Sequence, residues 1–115
     1  MNINPILEEI FKDFIVDGAT IPISFMQYGG DKTAYLTYYT WYEKPELFSD
    51  DDYHAEVIHG TIDIFSKENF KNILESVKKK LKENDLTWTD NGSETFEEDT
   101  GFFHVPVNFC ASNLN

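Results

Sequence analysis

Residues 54–81 read HAEVIHGTIDIFSKENFKNILESVKKKL, and the hydrophobic spacing changes once along them. Before Ser66 the apolar content is Val57, Ile58, Ile62, Ile64 and Phe65, a β-branched and aromatic set that suits a pleated strand over His54–Phe65. Gly60 in its middle predicts a bulge or a close approach by another backbone. After Ser66 the period becomes helical: Phe70, Ile73, Leu74, Val77 and Leu81 fall on one stripe. Ser66 is the expected cap of a helix over 67–83, with Asn84-Asp85 ending it. Six of the nine lysines lie here, and Lys78, Lys79, Lys80 and Lys82 gather at the end where the helix dipole favours cations.

Upstream, YLTYYTWY at 35–42 is almost wholly aromatic or β-branched and reads as a strand with rings on both faces. Before it, Ile21, Ile23 and Phe25 alternate with Pro22, Ser24 and Met26, and Pro22 places that strand at an edge or a start. Gly29-Gly30-Asp31 is a turn signal, expected as a hairpin turn. The chain opens with a helix expected over 5–17, with Asn4 as cap and Pro5 in the first turn. Its stripe is Ile6, Leu7, Ile10, Phe11, Phe14 and Ile15, and Gly18 is its terminator. Residues 43–53, EKPELFSDDDY, are expected as an acidic loop.

Downstream, Leu86–Thr89 is a short strand and Asp90-Asn91-Gly92 a tight turn. The last strand is expected from Gly101 to Cys110, with Phe103, Val105, Val107 and Phe109 facing one way. Phe102, His104, Pro106, Asn108 and Cys110 then face the other. Helix, strands, helix, strands is not a βαβα alternation. The expected class is α+β: one domain over 1–115, a mostly antiparallel sheet with two helices packed on one face.

Composition narrows function by exclusion. The chain has 115 residues, 41% hydrophobic and 16% aromatic, enough for one core. Its net charge of −12 argues against clamping DNA or an anionic membrane. All nine bases are Lys, so arginine forks and fingers are lacking. A single cysteine, Cys110, excludes an intrachain disulfide. The acidic start MNINPILEEIF does not look like a signal peptide, and no apolar run approaches the ~20 residues of a membrane span. Cytoplasmic synthesis is expected.

No constellation of catalytic residues stands out. Gly29-Gly30 lacks the Lys and Ser/Thr of a phosphate-binding loop. His54 and His59 point to opposite faces of one strand, and three scattered His with one Cys fall short of a zinc set. Asp50, Asp51 and Asp52 lack the alternation of a calcium loop. Glu94, Glu97, Glu98 and Asp99 could supply a carboxylate pair, but no sugar-stacking pocket is legible beside them. Cys110 and His104 sit about 20 Å apart along one strand at ~3.4 Å per residue. No catalytic, cofactor or metal residue is therefore assigned, and the expectation is not an enzyme.

What remains is surface. Trp41, Tyr42, Phe48, Tyr53, Phe96 and Phe102 exceed what two short helices can cover, so they are interface candidates. The order of elements is telling: TYYTW, an acidic loop, the strand-to-helix junction IDIFSKENF, then EEDTGFFHVPVNF. In these pieces the chain resembles the tail terminator (tail completion) proteins of long-tailed bacteriophages and prophages, over nearly its whole length.

The resemblance implies a ring, commonly of six subunits, at the head-proximal end of the tail tube. Such a ring stops tube polymerisation and joins the head connector; its partners are other copies, the tube protein and the connector. It implies assembly in the host cytoplasm and residence in the virion tail, without sequence-specific nucleic-acid binding or a membrane. DNA passes through the bore, where Asp50–Asp52 or Glu94, Glu97, Glu98 and Asp99 could repel its backbone. Two other readings stay open: a head–tail joining or minor capsid protein, and an acidic DNA mimic that inhibits a host enzyme.

Overall fold

The computed structural model of the protein describes residues 3–47 and 54–114. It contains two helices, α1 (Asn4–Ile10) and α2 (Lys71–Glu83), and a sheet whose pairing is mostly antiparallel. The sheet comprises β3 (Ile23–Phe25), β4 (Ala34–Leu47), β5 (His54–Ser66), β6 (Thr87–Asn91), β7 (Thr95–Glu97) and β8 (Phe102–Leu114). Their order is β3-β4-β5-β8-β6, with β7 following β6 along the same side of β8. A separate small hairpin joins β1 (Ile15–Val16) to β2 (Ala19–Thr20).

The period-2 rule sorts the long strands into two faces. On one, Leu36 and Tyr38 of β4 lie opposite Ile64 and Ile62 of β5, which lie opposite Val105 and Val107 of β8. These six residues are buried in one cluster with Ile58, Phe109 and Ala111. The same cluster takes in Leu7 of α1, the stripe Ile73, Leu74, Val77 and Leu81 of α2, and Ile3, Phe11, Phe14, Val16, Ile21, Phe70 and Leu86. Polar bonds tie α1 to β4: the Tyr38 hydroxyl donates to Glu8 Oε1 at 2.9 Å, and Thr40 Oγ1 donates to Asn4 Oδ1 at 3.1 Å. Gly60 lies opposite Phe109, whose ring fills the space a Cβ would take. The register of β5 against β8 runs unbroken through it, so the glycine makes room for a side chain, and neither the expected bulge nor an approaching backbone is the reason.

Several expected boundaries are corrected. The first helix ends at Ile10, not near residue 17, and its cap position is Ile3, not Asn4. Phe11 and Phe14 meet edge to face at 5.2 Å, and the chain then turns at Asp17-Gly18, both with positive φ (52° and 80°). Two such residues between Val16 and Ala19 make the tight hairpin that an Asp-Gly pair favours. Phe14 and Val16 are buried through this hairpin instead of a helix face, and Ile6 and Ile15 are exposed.

Gly29-Gly30 is not a hairpin turn, because β3 pairs with β4 in parallel. Residues 26–33 carry the chain back, shorter than the dozen or so residues usual for such a crossover. Three-residue β3 makes the return short enough, and Tyr28 stacked on Tyr35 at 4.5 Å fastens it.

Residues 43–47 continue β4 across an irregularity between Glu43 and Glu46 rather than opening a loop. Ser66 does not cap α2; the cap position is Phe70, with no side-chain cap bond. Ser66 Oγ accepts from the Glu68 amide at 3.1 Å, and Asn69 Oδ1 accepts from the Lys71 amide at 2.9 Å. Asp90 and Asn91 extend β6 instead of turning, and β8 runs on to Leu114.

The molecule is long: its radius of gyration is 15.6 Å, against ~13 Å for a compact 100-residue chain. Strands of 13 and 14 residues span roughly 45 Å at ~3.4 Å per residue. The 13-residue helix spans only ~20 Å and the 7-residue one ~10 Å at ~1.5 Å per residue. Neither helix can run the length of the sheet.

Candidate functional site: the aromatic face and edge of the sheet

The alternate positions of the long strands form the second face of the sheet, called the outer face below, opposite the buried cluster. Near its β7 end it is a ring cluster. Tyr35 stacks on Phe65 at 4.8 Å, Phe65 stacks on His104 at 4.4 Å with planes 4° apart, and Phe102 meets Tyr35 edge-on at 5.4 Å. Lys67 Nζ lies 5.1 Å from the Phe102 centroid. His104 Nε2 is 2.8 Å from Asp63 Oδ1, its diagonal neighbour. Burial, then the charge of Glu97, pushes the Tyr35 hydroxyl pKa up.

The middle of the face is polar and satisfied. Thr61 Oγ1 donates to Asn108 Oδ1 at 2.7 Å, and Asn108 Nδ2 donates to Asp90 Oδ1 at 3.1 Å. Among the described residues, no buried side-chain N or O lacks a partner.

At the far end a second aromatic row crosses the strands. Trp41, 44% exposed, stacks on Tyr39 at 5.7 Å and on His59 at 5.6 Å. His59 lies opposite Cys110, which lies opposite Thr87. Register therefore puts the thiol beside His59, not beside His104. Spacing along one strand could not show this, because the neighbour sits across the ladder. Among the described residues, no three His, Cys, Asp or Glu side chains gather as a metal site.

The interface candidates scatter. Trp41 is on the outer face, Phe102 is half-buried in the ring cluster, and Phe96 lies on the β7 edge, 52% exposed, with its ring 4.8 Å from Phe103. Tyr42 pairs with Ile58 in β4, but its side chain lies outside the described ones, as do Phe48, Tyr53 and Asp50–Asp52 altogether. Glu94, Glu97, Glu98 and Asp99 are exposed along β7 and the turn into β8. That turn is closed by the Gly101 amide donating to Glu97 O at 2.8 Å.

Tyr39 and Trp88 are exposed aromatics outside the six interface candidates. Tyr39 shares the parity of Trp41, which was the available signal. Trp88 borders an open groove of about 560 Å³ between α2 and β6, lined by Lys78, Lys82, Asp85, Leu86 and Thr87. Lys78 Nζ sits 4.3 Å over the Trp88 ring.

No protein-family model matches this chain, and no curated protein matches it. No helix of the described residues is long and apolar enough to cross a membrane.

Proposed function

We propose that the chain is a structural subunit of a phage or prophage tail. In this reading six copies form a ring at the head-proximal end of the tail tube, end its polymerisation and join the head connector. The observation that carries it is the aromatic outer face of a sheet roughly 45 Å long, with Tyr39 and Trp41 exposed upon it. Exposed rings of this kind are the residues that anchor interfaces.

The order of elements supports it too. The junction IDIFSKENF is where β5 leads towards α2, and DTGFFH is the turn into β8. Both helices are taken to pack on the face of the sheet that holds the buried cluster, leaving the other for neighbours. The role is assembly rather than catalysis. The partners are other copies, the tube protein and the connector, met in the host cytoplasm and kept in the virion tail.

Removing the chain from the phage or prophage that encodes it tests this. Tubes should lose their uniform length and remain without heads, and supplying the chain in trans should restore both. Tails of normal length that join heads without it would overturn the proposal.

A further inference from the structure

The groove between α2 and β6 sets two lysines beside apolar and aromatic surface. Its floor is buried Leu86, one wall is the Trp88 ring, 42% exposed, and its cations are Lys78 and Lys82. Asp85 also lines it and Glu75 Oε1 lies 4.0 Å from Lys78 Nζ, while Lys82 makes no ion pair among the described residues. Over its whole length α2 carries five Lys against two Glu, in a chain whose net charge is −12, and Lys79 and Lys80 line other grooves of the helix. Beyond Lys82 the chain has no Lys or Arg, and the acids Asp90, Glu94, Glu97, Glu98 and Asp99 follow on the β6–β7 edge and its turn.

We propose that this groove receives the acidic β7–β8 turn, Glu97-Glu98-Asp99, of a second copy of the chain. Charge complementarity selects the occupant. The turn offers three consecutive exposed carboxylates beside Phe96, itself half exposed. Its backbone is already closed by the Glu97–Gly101 bond, and the Phe102 amide donates to Thr100 Oγ1 at 3.3 Å. Little ordering cost attends its docking.

The same copy cannot supply it. Trp88 lies opposite Phe109 and Glu97 opposite Phe102, seven residues apart on β8 and so roughly 24 Å at ~3.4 Å per residue. A donor patch and an acceptor patch at different places on one surface make a head-to-tail contact, the kind that closes into rings. The inference thus deepens the ring reading of the preceding subsection and rests on it.

Charge reversal on the full chain tests the contact, read by native mass spectrometry and sedimentation, with amide spectra confirming each fold. K78E/K82E and E97K/E98K/D99K should each weaken self-association by about tenfold or more. An equal mixture of the two should assemble again, because each groove then meets a turn of opposite charge, and this rescue excludes misfolding as the cause.

Assembly unchanged in both variants, or no gain on mixing, overturns the contact and leaves the ring reading standing. A peptide of residues 46–55 that occupies the groove while the 97–99 turn stays free would overturn it too. A wild-type chain that stays monomeric, with its Glu97–Asp99 signals independent of concentration, does the same. Rescue on mixing that stops at a closed dimer supports the contact and removes the ring.

Discussion

Phe109 lays its ring over the backbone of Gly60, the residue directly opposite it on β5, where a Cβ would collide with the ring atoms. Both lie at the centre of the sheet, and Phe109 is fully buried. Gly60→Ala should therefore cost about 1–3 kcal/mol, the usual range for overpacking. Denaturant unfolding measures it. Combining Gly60→Ala with Phe109→Leu should cost less than the sum of the two single changes, because neighbours in contact do not add. Additive losses would show that the ring does not set the glycine.

The apolar stripes differ in depth along the chain. Leu81 of α2 is fully buried, and Leu81→Ala should lose ~2–5 kcal/mol as a core cavity. Ile6 of α1 belongs to a stripe of similar spacing but is 42% exposed, and Ile6→Ala should stay within about 0.5 kcal/mol. Equal losses in thermal unfolding would mean that α1 buries the face its sequence suggests.

Much of the fold was legible because period and chemistry agreed. The β5 strand ends within one residue of the expected boundary, and the buried stripe of α2 is Ile73, Leu74, Val77 and Leu81, with Phe70 at its start. The N-terminal stretch misled because Phe11 and Phe14 are buried whether the chain stays helical or turns at Asp17-Gly18. The two differ at Ile15 and Val16, since helical spacing puts Ile15 inside whereas the hairpin exposes it and buries Val16, and the Asp-Gly pair was the local signal for the turn. The parallel pairing of β3 was hidden because a strand of three residues carries too little pattern to fix direction. Of the site, exposed Trp41 and Phe96 were legible as surplus rings. The His59–Cys110 pairing and the Trp88 groove depend on register across strands, which no local pattern encodes.

The Tyr38 phenol is buried and donates to Glu8, and burial first, then this bond and the Glu8 charge, pushes its pKa up to about 12. The unfolded chain releases the same proton near pH 10. Above pH 10 the unfolded state therefore binds fewer protons than the folded one, and stability falls as pH rises towards 12. Tyr38's contribution is fully present below pH 10 and lost through this window. Thermal unfolding at a series of pH values should show a steeper loss between pH 10 and 12 in wild type than in Tyr38→Phe. Identical slopes would remove the Glu8 bond from the account of α1.

Free chain should leave duplex DNA unbound at physiological salt. Nonspecific binding needs lysines or arginines that release phosphate counterions, and here acids exceed bases by 12. Fluorescence anisotropy with labelled duplex checks this. Binding that weakens steeply with salt would instead make the lysines of α2 a nucleic-acid surface.

Electron cryomicroscopy of purified tails, joined to mass analysis of their proteins, bears most directly on the assembly role. The expected result is one ring of six copies, about 80 kDa at 13.4 kDa each, at the head-proximal end of the tube. Absence of the chain from purified tails and virions, or its presence anywhere but that end, would contradict the role proposed for it.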